Sequence, residues 1–221
     1  MNYEIEFLTA AVLVSAVLHI RADYKEAKKL VYFFKPITML LIVIMGVGLL
    51  PEKLGWYHIA LLVGLLFSIC GDVALMWPSD KFLLGLVSFL TAHVFYISGL
   101  LSGLEFAFTW YVWPPLLLVG VLMFLKLRSG LGNMQVPVLV YILTILIMGG
   151  IAWERHLQLV LSQTLFAVCG ASLFLISDAL LAWNRFQMKF KSAQLFILST
   201  YYAAQWTFAL SLSQTISSKI S

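Results

Sequence analysis

The chain has 221 residues, of which 62% are hydrophobic and 11% charged, and its mean hydropathy is +0.98. This composition excludes a soluble globular domain and predicts a polytopic membrane protein in which residues 1–221 form a single integral membrane domain. The net charge of +4 indicates no nucleic-acid or soluble partner, because the basic residues fall in predicted loops, where they set orientation and meet anionic lipid headgroups.

Apolar runs of about 17–22 residues are long enough to cross a hydrocarbon core of about 30 Å, and they predict an all-α fold with eight transmembrane helices. The predicted helices cover residues 4–20, 34–50, 56–77, 82–101, 106–125, 135–152, 160–182 and 191–212. The N-terminus lacks the basic region of a signal peptide, so the first run is expected to be a retained helix.

The basic residues are concentrated in the loops that follow the first, third, fifth and seventh predicted helices. Eleven of the 14 lysines and arginines lie there: Arg21, Lys25, Lys28, Lys29, Lys35, Lys81, Lys126, Arg128, Arg185, Lys189 and Lys191. Only Lys53, Arg155 and Lys219 fall on the other side. Because positively charged loops stay in the cytoplasm, both termini are expected on the non-cytoplasmic side of a bacterial inner membrane.

Two aspartates fall inside the apolar runs, each five positions before a tryptophan. Asp72 precedes Trp77 in the third predicted helix, and Asp178 precedes Trp183 in the seventh. A carboxyl within a membrane span costs roughly 2.5–3.5 kcal/mol even on lenient insertion scales, which makes each aspartate a candidate functional residue. Their equal distance from the cytoplasmic ends of their helices predicts that both face one pocket in the cytoplasmic leaflet.

The repeated aspartate and tryptophan are consistent with a duplicated four-helix unit. The two copies would cover residues 1–105 and 106–221, and Pro36 and Pro137 would occupy corresponding positions early in the second and sixth helices. Units with an even number of spans run parallel and place a shared site between them. Chance similarity between apolar segments is the alternative.

Other polar side chains are expected near the two carboxyls. Lys35 lies at the predicted cytoplasmic start of the second helix, directly before Pro36, which would be a first-turn proline. It could pair with either aspartate or with a lipid phosphate. The fourth helix carries His93 near mid-membrane, together with Tyr96. The eighth helix carries a polar stripe that lipid would not tolerate, so it should face the interior: Gln194, Ser199, Thr200, Tyr201, Tyr202 and Gln205.

Each of these polar residues also has a purely structural interpretation. A membrane aspartate can be a protonated hydrogen-bond donor that holds helices together, and His93 can be an interhelical hydrogen-bonding residue. No cluster with metal-ligand spacing, no phosphate-binding glycine loop and no Gly-x-Ser-x-Gly elbow occurs. No metal or organic cofactor is therefore expected.

Several short segments resemble the YhhN-like membrane lysoplasmalogenases. They are Phe-Phe-Lys-Pro at 33–36, Ser-x-x-Gly-Asp at 68–72, the segment 85–96 with its Ala-His pair and Tyr96, and Ser-Asp at 177–178. The eight-helix layout is also similar, so the resemblance covers nearly the whole chain. It implies hydrolysis of the vinyl-ether bond of 1-alkenyl lysophospholipids, which gives a fatty aldehyde and a glycerophospho-alcohol.

Acid catalysis accounts for such a reaction, because protonation of the β-carbon of a vinyl ether forms an oxocarbenium ion to which water adds. Asp72 and Asp178 would supply a general acid and an anionic partner, with the assignment between them open. Residues expected to bind the substrate or to tune the ionisation of the carboxyls are Lys35, His93, Tyr96, Tyr202 and Gln205. The expected partners are a lysophospholipid in the cytoplasmic leaflet, water and membrane lipids.

A small-solute or proton-coupled transporter is the alternative function, since parallel repeats with membrane carboxyls are typical of such proteins. A transport path would favour polar residues that continue to both faces of the membrane, whereas the carboxyls and Lys35 gather on one side. A structural or accessory membrane protein would leave the repeated aspartates unexplained.

Overall fold

The computed structural model describes residues 3–105 and 108–213, and over these ranges the chain is helical without a strand. The described helices are α1 (Tyr3–Tyr24), α2 (Lys28–Gly48), α3 (Trp56–Met76), α4 (Phe82–Leu101), α5 (Trp113–Leu127), α6 (Gln135–Leu159), α7 (Ser162–Phe186) and α8 (Ala193–Leu210). A short 3₁₀ turn at Gly132–Met134 precedes α6. The all-α fold class is confirmed.

Six of the described helices are long and apolar enough to cross a membrane: α1, α2, α3, α4, α6 and α7. The chain is therefore an integral membrane protein. Helix α5 is apolar but only 15 residues long, and α8 carries the polar stripe. The count of eight spans stays a prediction.

The start of α2 differs from the sequence prediction. The helix begins at Lys28, six residues before the predicted start at 34, so Pro36 lies inside the helix and not in its first turn. The expectation of a first-turn proline is wrong. Hydropathy excludes the charged residues Lys28 and Lys29 from the apolar run, but lysine is a good helix former whose long side chain reaches the membrane surface from a helix end. Lys35 consequently lies two turns inside α2, where it is buried.

The start of α5 was also predicted wrongly. The predicted helix 106–125 begins at Trp113 in the structure, and residues 110–112 form a turn. Pro114 and Pro115 explain the late start, because proline is tolerated in the first turn of a helix but breaks the hydrogen bonding of its interior. Positions 106 and 107 lie outside the described residues.

Two charged residues in the last turns of α6 close the far end of the bundle, where α4 and α6 end. Glu154 is buried and accepts hydrogen bonds from the backbone N–H and hydroxyl of Thr109 at 2.7 and 2.6 Å. Arg155 donates to the backbone carbonyls of Leu100 and Ser102 at 2.8 and 2.6 Å. Both residues follow position 152, where the sequence prediction ended the sixth helix, so α6 is seven residues longer than expected.

Glycines allow α3 and α4 to pack closely beside Asp72. A Cβ atom at Gly64 would lie 2.3 Å from the ring of Tyr96, and one at Gly71 would lie 2.7 Å from the ring of Phe89. Small residues let membrane helices approach until side chains lie on the neighbouring backbone. The close approach fixes Phe89 against the turn that carries Asp72.

The packing of the first four helices partly recurs in the last four. Within each half, the first helix packs on the second, the second on the third and the third on the fourth. The halves meet through α2 with α8 and through α4 with α6. This arrangement is the one that parallel repeats would give, and the repeats at 1–105 and 106–221 stay a prediction. One interface is unequal: α1 packs on α8, whereas no Cα atoms of α4 and α5 lie within 8 Å of each other among the described residues.

Candidate active site

A cavity of about 1020 Å³ opens at the end of the bundle where α1, α3 and α7 end. Asp72, Asp178 and Lys35 all line it, so the structure brings together three residues that the sequence singled out. The remaining charged residues of its wall are Asp23, Glu26, Lys28, Arg185 and Lys189. A polar cavity of this size can hold a small-molecule headgroup.

Asp72 forms a buried ion pair. Its side chain is only 2% exposed, and its Oδ1 atom lies 3.1 Å from Nζ of Lys35. The hydroxyl of Tyr201 on α8 donates a hydrogen bond to Oδ2 at 2.6 Å. A buried carboxylate with a cation and a hydrogen-bond donor is satisfied as an anion.

Asp178 is half-buried and has a different partner. The hydroxyl of Tyr141 on α6 donates to its Oδ2 atom at 2.5 Å. Within the described residues, no cation lies within salt-bridge distance of Asp178. The backbone at its neighbour Ser177 is fixed because that hydroxyl donates to the carbonyl oxygen of Ile197 on α8 at 3.0 Å. Asp178 is therefore held by a neutral donor and not by a cation.

The two aspartates lie at different distances from their helix ends. Asp72 lies four residues before Met76, the last residue of α3, whereas Asp178 lies eight residues before Phe186 because α7 continues beyond the predicted end at 182. At 1.5 Å per residue these distances are about 6 and 12 Å. Both side chains still line the same cavity.

The other candidate residues lie deeper, outside the cavity wall. Tyr96 and Gln205 are buried and bond to each other, with the tyrosine hydroxyl donating to Oε1 at 2.8 Å. Tyr202 shares a hydrogen bond of 2.8 Å with Nδ1 of His19, whose ring does line the cavity. The direct site roles proposed for Tyr96, Tyr202 and Gln205 stay predictions.

His93 is fully buried among aromatic rings. Its ring centroid lies 5.1 Å from that of Tyr141 and 4.7 Å from that of Phe174. Neither ring nitrogen has a hydrogen-bond partner in the described part of the chain. His93 thus contacts the tyrosine that holds Asp178 but does not contact the carboxyl through a hydrogen bond.

The polar stripe of α8 is only partly internal. Tyr201, Tyr202 and Gln205 are buried, but Ser199 is exposed. Its hydroxyl donates to the carbonyl oxygen of Leu195 at 2.6 Å. A serine that bonds its own helix is tolerated beside lipid, which is why the expectation of a fully internal stripe fails there.

Tyr141 and Tyr201 hold the two carboxyls, and the sequence prediction did not include them among the site residues. Tyr141 is the only tyrosine in the apolar run 135–152, and a buried tyrosine hydroxyl usually requires a polar partner. That requirement was the available signal. Tyr201 belongs to the polar stripe but was passed over for its neighbour Tyr202.

An apolar crevice continues from the cavity toward the membrane. Its walls come from α4, α5, α6 and α7, and include Phe82, Leu86, Val119, Ile145 and Leu175. Five residues line both spaces: Leu75, Phe82, Phe89, Asp178 and Leu181. Asp178 therefore lies where a polar space meets an apolar one.

No group of three or more His, Cys, Asp or Glu side chains lies together in the way that a metal site requires, within residues 3–105 and 108–213. The cavity wall offers the paired Asp72 and Asp178, and also Asp23, Glu26 and His19. Metal-independent chemistry stays a prediction.

Comparison with known proteins gives both a family and named relatives. Residues 30–212 match the model of the YhhN family. The chain is 35% identical to the lysoplasmalogenase TMEM86B of Sus scrofa over 164 residues, which are 73% of this chain and 66% of the relative. For the same protein of Homo sapiens the identity is 35% over 71% of this chain and 65% of the relative.

A bacterial relative is more distant but matches over nearly its whole length. The membrane protein YhhN of Escherichia coli O6:H1 is 25% identical over 202 residues, which are 91% of this chain and 96% of the relative. The chain thus spans about two thirds of the lysoplasmalogenases and nearly all of the bacterial protein. No solved structure matches it.

Proposed function

The chain belongs to the YhhN family, and from this premise we propose that it is an intramembrane lysoplasmalogenase. It hydrolyses the vinyl-ether bond of 1-alkenyl lysophospholipids to a fatty aldehyde and a glycerophospho-alcohol. The family membership and the names of the relatives support the substrate class. The observation that carries the mechanism is the presence of two carboxyls with unequal partners in one cavity, at its junction with an apolar crevice.

The geometry supports distinct roles for the two carboxyls. Asp178 borders the apolar crevice and has no paired cation among the described residues, and it is the general acid that protonates the β-carbon of the vinyl ether. Asp72 is held as an anion by Lys35 and stabilises the oxocarbenium ion that forms. A positioned acid and an oppositely charged partner are the two elements that acid hydrolysis of an enol ether requires.

The remaining proton transfers return both carboxyls to their starting states. Water adds to the cationic carbon and loses a proton to Asp72, which forms a neutral hemiacetal. The hemiacetal hydroxyl then gives its proton to Asp178 while the glycerol oxygen leaves and takes the proton from Asp72. The products are the aldehyde and the alcohol, and no metal or organic cofactor is needed.

The rim of the cavity fits an anionic headgroup. Arg185 is engaged by Asp80 through contacts of 2.7 and 2.9 Å, whereas Lys28 and Lys189 have no ion-pair partner among the described residues. A phosphate bound by these two lysines would leave the glycerol and the vinyl ether next to the carboxyls. Lys35 holds Asp72 in this arrangement and does not bind the phosphate.

The test of the function is the choice among three ether and ester analogues. Purified protein in detergent is incubated with 1-alkenyl, 1-alkyl and 1-acyl lysophospholipids, and aldehyde and free fatty acid are measured. We expect aldehyde from the 1-alkenyl lipid alone, because only the vinyl ether forms a stabilised cation on protonation. Release of fatty acid from the acyl lipid, or no aldehyde from folded protein, would contradict the proposal.

The orientation supports a substrate in the cytoplasmic leaflet of an inner membrane. The cavity opens at the end of the bundle that holds most of the basic residues, and such loops face the cytoplasm. A reporter that works only outside the cytoplasm should therefore be active when fused to the C-terminus. A reporter that works only in the cytoplasm should be inactive there. A cytoplasmic C-terminus would move the cavity to the other leaflet.

A transporter is less well supported by the same cavity. The carboxyls lie toward one end of the bundle, and Arg155 and Glu154 tie the helices together at the other end. Transport of a solute would require this network to open.

A further inference from the structure

We propose that the hydrocarbon chain of the lysolipid lies in the apolar crevice between α4 and α5, entering it sideways from the bilayer, and that α5 is the wall that moves to admit it. The identity of the lipid rests on the proposed function, whereas the route rests on the packing of the helices.

The crevice meets the polar cavity at Asp178. Asp178 and Leu181 line both the crevice and the polar cavity, as do Phe82 and Phe89. An amphiphile with its chain in the crevice and its headgroup in the cavity therefore crosses from one to the other beside Asp178. The vinyl ether is the group of a lysoplasmalogen that lies at this boundary.

The crevice faces lipid because α5 does not pack on α4. No Cα atoms of these two helices lie within 8 Å in the part of the chain that the structure describes. The corresponding position in the other half is closed, since α1 packs on α8. A gap between two membrane helices opens directly to acyl chains.

Helix α5 is weakly held. It packs on α6 and α7, and only Gly120 and Leu127 of its 15 residues are buried. A Cβ at Gly120 would lie 2.3 Å from Leu146 of α6, so the helix is closely seated there. Few buried contacts mean a low free-energy cost of local displacement.

Movement is required because the crevice is narrow as it stands. Its free volume is about 40 Å³, which is room for only a few water molecules. Along α7 its lining runs from Leu175 to Phe186, which is about 16 Å at 1.5 Å per residue. Half of a hydrocarbon core of about 30 Å has a similar depth, so the crevice lies within one leaflet. It admits a hydrocarbon chain once α5 moves outward.

A pair of tryptophan variants on α5 tests the route. Val119 lines the crevice and is 44% exposed, while Val121 is 54% exposed and does not line it. Val119→Trp places a large ring in the crevice, far from the end of α5 that lies beside the cavity. Val121→Trp places the same ring on the lipid-facing side of α5. Hydrolysis is measured for lysoplasmalogens of increasing chain length.

We expect Val119→Trp to lower kcat/KM for long chains by about tenfold or more while short chains react at nearly the wild-type rate, because the ring blocks only the inner part of the crevice. Val121→Trp should leave all chain lengths unchanged. Equal rates in both variants, or an equal loss for every chain length in Val119→Trp, would overturn the assignment.

A labelling experiment separates this proposal from the proposed reaction, because it needs no turnover. A 1-alkyl lysophospholipid with a diazirine on its chain is photoactivated with the wild-type protein, and labelled residues are found by mass spectrometry. Labelling at Met123, Ile145 and Leu175 that excess unlabelled lysolipid suppresses supports the crevice, whether or not any lipid is hydrolysed. Labelling spread over lipid-facing positions such as Val121, and insensitive to competitor, would overturn it.

Discussion

Asp72 and Asp178 hold corresponding places in the sequence, but the structure gives them unequal surroundings. The partner of each carboxyl comes from the helix before it, and it is a lysine for Asp72 and a tyrosine for Asp178. Asp72 is buried, while Asp178 is half-buried beside an apolar crevice. In the proposed mechanism these unequal partners make Asp72 the stabilising anion and Asp178 the acid.

The same difference appears in the helices around the carboxyls. Helix α1 packs on α8 and closes the first half of the bundle, whereas α5 stands away from α4 and leaves the second half open to lipid. In our proposals, the closed half holds the ion pair of Asp72 and the open half admits a hydrocarbon chain. If the two halves are parallel repeats, a change in one helix interface and one side chain gives them two unlike half-sites.

Removal of either carboxyl should have the largest effect. Asp178→Asn and Asp72→Asn keep the size of the side chain but remove the acid or the anion, so each should slow the chemical step by about 10²–10⁴-fold. The double variant should be little worse than the worse single one, because groups that act together are not additive. Rates are measured for aldehyde release, and the wild type should be slower in deuterium oxide.

Asp23→Asn is the matched control for these variants, because Asp23 lines the same cavity and has no role in the proposed chemistry. It should retain nearly full activity. If folded Asp72→Asn or Asp178→Asn hydrolyses the vinyl ether near the wild-type rate, the paired mechanism is wrong and the repeated aspartates serve helix packing.

Replacement of Lys35 should remove the difference between the two carboxyls. Lys35→Met leaves Asp72 buried without its cation, which should cost about 3–5 kcal/mol of folding free energy and most of the activity. The folding free energy is measured by unfolding in mixed detergent micelles, and the activity by aldehyde release. Adding Asp72→Asn should restore stability but not activity. Normal turnover of folded Lys35→Met would reduce the lysine to a membrane anchor.

Removal of the tyrosine hydroxyls that bond to the two carboxyls should have a smaller effect on activity. Tyr141→Phe removes the one side-chain hydrogen bond to Asp178 among the described residues and should lower kcat about tenfold or more. The bond stabilises the charge that forms on Asp178 as it gives up its proton, and a bond to a charged group contributes about 1.5–3 kcal/mol. Tyr201→Phe should lower it less, because Lys35 still holds Asp72. Steady-state kinetics measure kcat for both variants. A larger loss in Tyr201→Phe than in Tyr141→Phe would exchange the roles assigned to Asp72 and Asp178.

Chelators should have no effect. Because the proposed difference between the carboxyls comes from a lysine and a tyrosine, prolonged treatment with EDTA or phenanthroline should leave activity intact. A loss that Zn²⁺ reverses would replace the paired-carboxyl mechanism and make His93 a candidate ligand.

The elements that hydropathy controls were predictable from the sequence. Six of the predicted helices correspond to apolar spans, and the position of Asp72 and Asp178 near one end of their helices predicted a shared cavity that includes Lys35. A charged residue in an apolar segment is energetically costly, so it can be recognised from the sequence as a candidate functional residue. The prolines at the start of α5 carried information that the hydropathy count ignored.

The features that depend on contacts between helices were not predictable in this way. The partners Tyr141 and Tyr201 are chosen by how α6 and α8 turn toward the carboxyls, and a single sequence does not give that rotation. The same holds for the gap beside α5. The polar stripe of the eighth helix placed Gln205 in the interior correctly, but the sequence could not tell the protein core from the cavity wall.

In the proposed reaction, the position of Asp178 on the wall shared by the cavity and the crevice also determines where the products go. Cleavage at that boundary divides an amphiphile into a water-soluble alcohol on one side and an oily aldehyde on the other. Each fragment then has its own exit, one to the aqueous phase and one to the bilayer. Separation of the fragments prevents their recombination, and the reactive aldehyde leaves without passing the lysines at the rim.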